Sequence, residues 1–470
     1  MRRRFLFLSF VCTWGATVSA QDSTRTLSSQ QVLEIVKRYH PVARQAEILV
    51  EKAKADVTIA RGLFDPMLYN QQVQKTFDGS DYYRYNRPEL IVPTWFGIDL
   101  IAGIENVQGA RIDPQETAGR SNYIGISMPL AKNLLMDKRR AALQTARIFR
   151  QASRSEQRQL LNDLLLDAMK TYWNWMQQYQ VVRVLDEAVA VNEKRLDLVR
   201  NAFRLGDRPA IDTTEALTQL QNFELLRNQA WLAFQNAGLE LSAFLWTSGD
   251  TPASLPPDAI PADDAALVDI PSAPLPLVQE FLDAAMRAHP ELQLYDFKLD
   301  ALAIDRKLKF QELLPTMNFR YNQLGKGYDV LRSVTAGPLF ENNYRYGLSM
   351  GLPLRLSQGR GEYRKAKLRI TETRLDRNLK QVQINNNVRM YFNEVAVLKK
   401  QVGLQEKAWT NYRTLLRGEE IRFQTGESSL FLINARETRA LEALQKLQEL
   451  RTKYYMSVYA LQWAAGMLAP

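Results

Sequence analysis

Few side chains in this sequence could do chemistry. There are two histidines, His40 and His289, and one cysteine, Cys12, close to the start. Each histidine directly precedes a proline, Pro41 and Pro290. Proline suits the first position of a helix, so both histidines read as structural helix starts. No paired-histidine metal motif, glycine-rich phosphate loop or nucleophile elbow accompanies them. The sequence therefore predicts no enzyme: no catalytic residue, no metal ligand and no cofactor.

Cys12 falls in a segment with its own purpose. Arg2, Arg3 and Arg4 precede an apolar run from Phe5 to about Val18, and Val18-Ser19-Ala20 supplies small residues at cleavage positions. Residues 1–20 read as a secretory signal peptide cleaved after Ala20. Phe10-Val11 lacks the small residues of a lipoprotein box, so Cys12 is expected to leave with the leader, and the mature chain to carry no thiol. Beyond it no stretch approaches the roughly 18 apolar residues of a spanning helix. The formal charge of +10 becomes +7 once the three leader arginines are subtracted. Basic and acidic residues interleave, as in Glu193-Lys194-Arg195 and Glu419-Glu420-Ile421-Arg422, which reads as a solvated helical face. No basic stripe points to nucleic acid.

The elements that must organise these residues occur twice. His40-Pro41 returns as His289-Pro290, and Pro66 returns as Pro315, both offset by 249 positions (289 minus 40, 315 minus 66). Ser127-Met128-Pro129-Leu130 resembles Gly351-Leu352-Pro353-Leu354, and Phe203-Arg204-Leu205-Gly206-Asp207 parallels Phe423-Gln424-Thr425-Gly426-Glu427. A duplicated chain follows, with repeat one over 21–248 and repeat two over 277–470. Residues 249–276, dense in proline, read as the connector, where neither regular helix nor central strand is expected.

Each repeat reads as helix, strand, strand, long helix, turn and return helix. Residues 131–203 contain neither proline nor glycine, and a helix of that span is on the order of 100 Å long. Its sparse apolar positions, such as Val181, Leu185 and Ala188, and later Leu441, Leu444, Leu447 and Leu450, form a narrow coiled-coil seam. Gly206 and Gly426 would reverse the chain at two hairpin tips. Gly403 and Gly418 are expected to weaken the second long helix locally.

Residues 67–76, 123–130, 317–323 and 344–354 read as strands of outer-membrane length. Pro66, Pro129, Pro315 and Pro353 mark the helix–strand transitions. Residues 79–120 leave two readings open, since Gly97 to Gly103 is either an additional strand or part of an outer loop. Tyr82, Tyr83, Tyr85, Trp95, Phe96 and Tyr123 could supply an interfacial girdle or pack on the chain's own strands. Four strands per chain cannot close a barrel, because a membrane barrel has at least about eight and tolerates no open edge. Assembly of several chains is the expectation.

These duplicated landmarks, over the whole mature chain, resemble the TolC-like outer membrane efflux proteins. The resemblance implies a mixed α+β membrane protein: a homotrimer whose four strands per chain build an outer-membrane β-barrel, continuous with a helical barrel through the periplasm of a Gram-negative bacterium. It implies a passive efflux duct contacting outer-membrane lipid, a periplasmic membrane-fusion (adaptor) protein and an inner-membrane transporter. Type I protein secretion through the same channel is one alternative; a soluble periplasmic coiled-coil protein is another. Phe203, Gly206, Phe423 and Gly426 fall at the adaptor-contacting tips. At the family's gate Asp212 matches the expected Asp, but Phe423 stands at the Tyr and Ser428 at the Arg, and the acidic ring is replaced by Leu432 and Ala435. A rewired gate is therefore expected, with Asp212 pairing to a basic residue of the turn regions, Arg422 first among them.

Overall fold

The computed structural model describes residues 26–262, 269–335 and 343–469. The leader and its cleavage site lie outside the described residues. In chain order the elements are β1 (Thr26–Leu27), α1 (Ser29–Tyr39), α2 (Pro41–Gly62), β2 (Met67–Phe77), β3 (Ser80–Pro93), β4 (Asp99–Gln108), β5 (Gly119–Pro129), α3 (Lys138–Arg204) and α4 (Ala210–Ser242). After these come β6 (Ile260–Pro261), α5 (Val278–Ala288), α6 (Pro290–Gln311), β7 (Thr316–Lys326), α7 (Val330–Thr335), β8 (Tyr344–Gly351), α8 (Ser357–Gln424) and α9 (Leu430–Ala464).

Both histidines cap helices. Pro41 and Pro290 occupy the first helical turn, where a missing N–H costs nothing. His40 Nδ1 accepts the Val42 N–H at 3.2 Å, and His289 Nδ1 accepts the Glu291 N–H at 3.3 Å. The duplicated His-Pro is thus one device used twice to start a helix at a fixed point.

The long helices α3 and α8, of 67 and 68 residues, are each about 100 Å long. Gly403 and Gly418 do not interrupt α8, because its packing on α9 outweighs a per-residue glycine cost of about 1 kcal/mol. The cores lie where hairpins meet shorter helices. Leu165, Met169, Tyr172 and Trp175 of α3 pack with Phe234 and Leu241 of α4 and with Val32 and Val36 of α1. Val388, Val395 and Val402 of α8 do the same with Leu447 and Leu461 of α9. α3 also packs against α6 and α9, which ties the repeats side by side.

The strand expectation needs a correction. The structure contains one six-stranded antiparallel sheet in the order β2-β3-β4-β5-β7-β8, rather than four such strands. The undecided segment is a hairpin, β3–β4, inserted between β2 and β5. Separately, β1 pairs in parallel with β6, tying the chain's start to the connector.

Burial holds the pKa of both His289 and His40 below the ordinary histidine value. A group of this kind contributes fully above its unfolded pKa of about 6.5, and the contribution is lost as pH falls through that value. Melting temperature should therefore drop between pH 7.5 and pH 5. In His40→Asn/His289→Asn, which keeps a capping acceptor without a titrating ring, the drop should shrink; an identical drop would remove the histidines from the account.

Candidate functional site

The junctions of the sheet with α2, α3, α6 and α8 all lie at one end. Pro66 immediately precedes β2, Pro129 ends β5, Pro315 immediately precedes β7, and Pro353 follows β8 by two residues. The β3–β4 turn is anchored at that same end: Trp95 stacks on Phe64 with ring centroids 4.6 Å apart, and Asp99 bridges Arg139 of α3 at 3.0 Å. The other turns, around residues 78–79, 109–118 and after 326, lie at the far end.

The sheet's two faces differ sharply. Residues paired across adjacent strands share a face, so Leu68, Leu90, Ala102 and Ile124 form one row, and Val92, Leu100 and Ile126 another. Leu68, Leu90, Leu100, Ile124, Leu348 and Met350 of this face are exposed. Toward the far-end turns the same face becomes polar, with Asn70, Gln72 and Gln74 of β2, Asn86 of β3 and Asn106 of β4, and Arg84 and Arg120 bring charge to it there. The opposite face carries the ion pairs. Arg87 bridges Glu116 at 2.7 Å and Glu105 at 3.8 Å, and Arg320 bridges Glu89 at 2.6 Å. Tyr123 lies over Gly103, whose missing side chain leaves room for the ring, and donates its hydroxyl to Glu89. This is the apolar-outside, polar-inside division of a membrane barrel wall.

At the opposite end of the molecule the hairpin tips share one geometry. Gly206 and Gly426 both have φ +81°, a conformation L-residues rarely adopt. Asp207 N–H donates to Ala202 C=O at 2.9 Å, and Glu427 N–H to Arg422 C=O at 2.8 Å, closing each helix with the same turn. Phe203 is exposed, whereas Phe423 packs toward Leu430, Leu196 and Leu220. The two tips touch through Arg208, whose guanidinium lies 4.1 Å above the Phe423 ring and donates to the Phe423 carbonyl at 3.3 Å.

Asp212 takes a partner other than Arg422. It faces Arg208 at 3.7 Å, one turn away on its own hairpin. Arg422, more than half exposed, sits 3.9 Å from Glu419 and 4.0 Å from Glu427, both on its own hairpin. Arg208 thus meets both Phe423 and Asp212.

One tie was invisible to sequence reasoning. Arg195, read as part of a solvated face, is largely covered and grips the buried Glu437 of α9 with two nitrogens at 2.6 and 3.2 Å. Asn192 donates to the same carboxylate at 3.1 Å. Glu419, from the second stretch read as solvated, is also buried and accepts the Ser428 hydroxyl at 2.5 Å. Arg195 and Glu437 lie 242 positions apart, so no local charge pattern joins them. Among the described residues no cluster of histidine, cysteine and carboxylate side chains is placed to hold a metal ion.

Long helical hairpins thus lie below an amphipathic sheet whose two edges are open among the described residues. Residues 282–467 match the family model described as Outer membrane efflux protein. No curated protein matches the chain. Among solved structures, the CmeC outer membrane channel of Campylobacter jejuni has a TM-score of 0.63 at 14% identity, covering 99% of this chain and 94% of that one. VceC of Vibrio cholerae gives 0.63 at 15%, covering 93% and 96%. The open state of the MtrE channel of Neisseria gonorrhoeae gives 0.64 at 14%, covering 93% and 88%. Residues 282–467 thus match an outer membrane efflux protein domain, and the chain as a whole has the fold of these outer membrane channel structures.

Removing one partner of a buried ion pair costs about 3–5 kcal/mol, whereas apolar replacement of both is often neutral. Arg195→Ala should accordingly speed amide hydrogen exchange in the lower parts of α3 and α9, and Arg195→Met/Glu437→Leu should restore protection. Equal exchange in all three proteins would reduce the pair to a surface contact.

Proposed function

We propose that this protein is the exit duct of a tripartite efflux system. Three copies form a channel through the outer membrane and periplasm, and the hairpin tips dock to a membrane-fusion adaptor and an inner-membrane transporter. The observation that carries this reading is the sheet itself: β2 and β8 have one strand partner each, and the half of their shared face nearer the helices, with Leu68, Leu90, Leu100, Ile124, Leu348 and Met350, is apolar and exposed. Unpaired backbone in lipid costs several kcal/mol per group, so the two edges call for each other in neighbouring copies. A soluble coiled-coil protein would have no use for such a face.

The helices support the same assembly. Leu225, Leu232 and Leu239 recur every seven residues on α4, and Met390, Val397 and Leu404 do so on α8, each more than half exposed. The α4 stripe lies 19 to 33 residues past Gly206, and the α8 stripe 22 to 36 residues before Gly426. Both therefore run about 30–55 Å from the tips at 1.5 Å per residue. Heptad stripes at equal height are what α4 of one copy and α8 of the next need in order to zip together.

Phe203, Gly206, Phe423 and Gly426 form the docking tip in this reading, and Asp212 belongs to the resting gate. Arg208 is the latch within one chain, while Arg422, held near Glu419 and Glu427 of its own hairpin, is not part of it. In planar bilayers Arg208→Ala should raise resting conductance several-fold, and Asp212→Ala should do so to a lesser degree. Deleting the gene in cells stripped of redundant channels should raise sensitivity to exported compounds. Unchanged sensitivity there would defeat the efflux reading; unchanged conductance with lowered stability would make Arg208 a brace and leave the gate elsewhere.

A further inference from the structure

The inserted β3–β4 hairpin has a consequence beyond an exit duct of twelve strands. β2 does not pair with β5: two whole strands stand between them, so at about 4.8 Å per strand spacing they lie roughly 14 Å apart. The only described ladder joining β2 to the rest of the sheet runs through β3. If the hairpin were folded away from the wall as an ornament, β2 would be left unconnected.

The hairpin's side chains follow the wall's own division. Leu90 and Ala102 fall on the apolar face in register with Ile124 of β5, and Val92 and Leu100 in register with Ile126. Arg87, Glu89 and Glu105 fall on the charged face, where they pair with one another and with Arg320 of β7. A loop in water has no need of this alternation. Its strands of 14 and 10 residues meet the roughly 9–11 needed to cross a bilayer at a tilt. Its near turn, stacked on Phe64 and bridged to Arg139, holds it at the depth of the other junctions.

Direction closes the argument. β2 runs away from the helices, each following strand reverses, and β8 returns toward them. A β8 edge therefore meets the β2 edge of the next copy antiparallel, as a closed membrane barrel requires.

We propose that each copy contributes six strands to the wall, so that the trimer closes an eighteen-stranded barrel. The copy number rests on the proposed function; the six strands do not. Barrel diameter grows roughly linearly with strand number, so the barrel is about 1.5-fold wider than a twelve-stranded one. The Arg87, Arg320, Glu89 and Glu105 network then lines a water-filled lumen, and the barrel is less restrictive to large solutes than the helical tips.

Electron cryomicroscopy of the detergent-extracted protein in lipid nanodiscs tests this directly. Eighteen strands around three copies is the expected cross-section; twelve, with residues 80–108 outside the wall, overturns the proposal. Six strands per copy around another copy number would uphold the hairpin's place and count against the trimer. Single-cysteine labelling gives a second readout, since Cys12 is expected to leave with the leader. A fluorophore at Leu90→Cys or Leu100→Cys should be quenched by lipid-borne nitroxide at least several-fold more than one at Gln71→Cys, which faces the charged side. Equal quenching by a water-soluble agent at all three positions would place the hairpin outside the membrane.

Discussion

A backbone that enters lipid must find all its hydrogen bonds in protein. The described sheet meets that demand between β2 and β8 and fails it at the two outer edges. Everything else follows from that open ladder. The edges are complementary in direction, an apolar band crosses the strands on one face near the helices, and the Arg87, Glu105, Glu89 and Arg320 ion pairs lie on the other, where they neutralise one another. Assembly is thus built into the fold of a single chain.

The helices face the same problem in water. A helix of about 100 Å cannot fold back into a globule, so it finds partners along its length. Within the chain those partners are α4 for α3 and α9 for α8, with Arg195 and Glu437 binding the two hairpins together near their tips. The remaining apolar stripes on α4 and α8 stay exposed. Sheet edges and helical stripes therefore ask for the same neighbour in the proposed assembly, whose barrel and helical bundle would form one continuous structure.

Legibility in the sequence tracked local physics. Proline and glycine constrain the backbone at their own positions, so Pro66, Pro129, Pro315 and Pro353 marked the junctions, and Gly206 and Gly426 the reversals. Helices free of breakers over sixty residues were equally plain. The β3–β4 hairpin was not, because its alternation is diluted by Pro88 and by Ile91 and Ile101 on the charged face. Barrel strands carry a weak signal of this kind in any case. Arg195 shows the other limit: a charge reads as solvated until the fold brings Glu437 to it. For Asp212 a partner was expected from the turn regions, and packing selects Arg208, one turn away, over Arg422.

The most direct test of this account is the mass of the detergent-extracted protein by native mass spectrometry, alongside circular dichroism for strand content. A species of three chains that retains strand structure is the expected result. A stable monomer with its strands intact would mean that the edges of β2 and β8 are satisfied within one chain, and the assembly argument would fall.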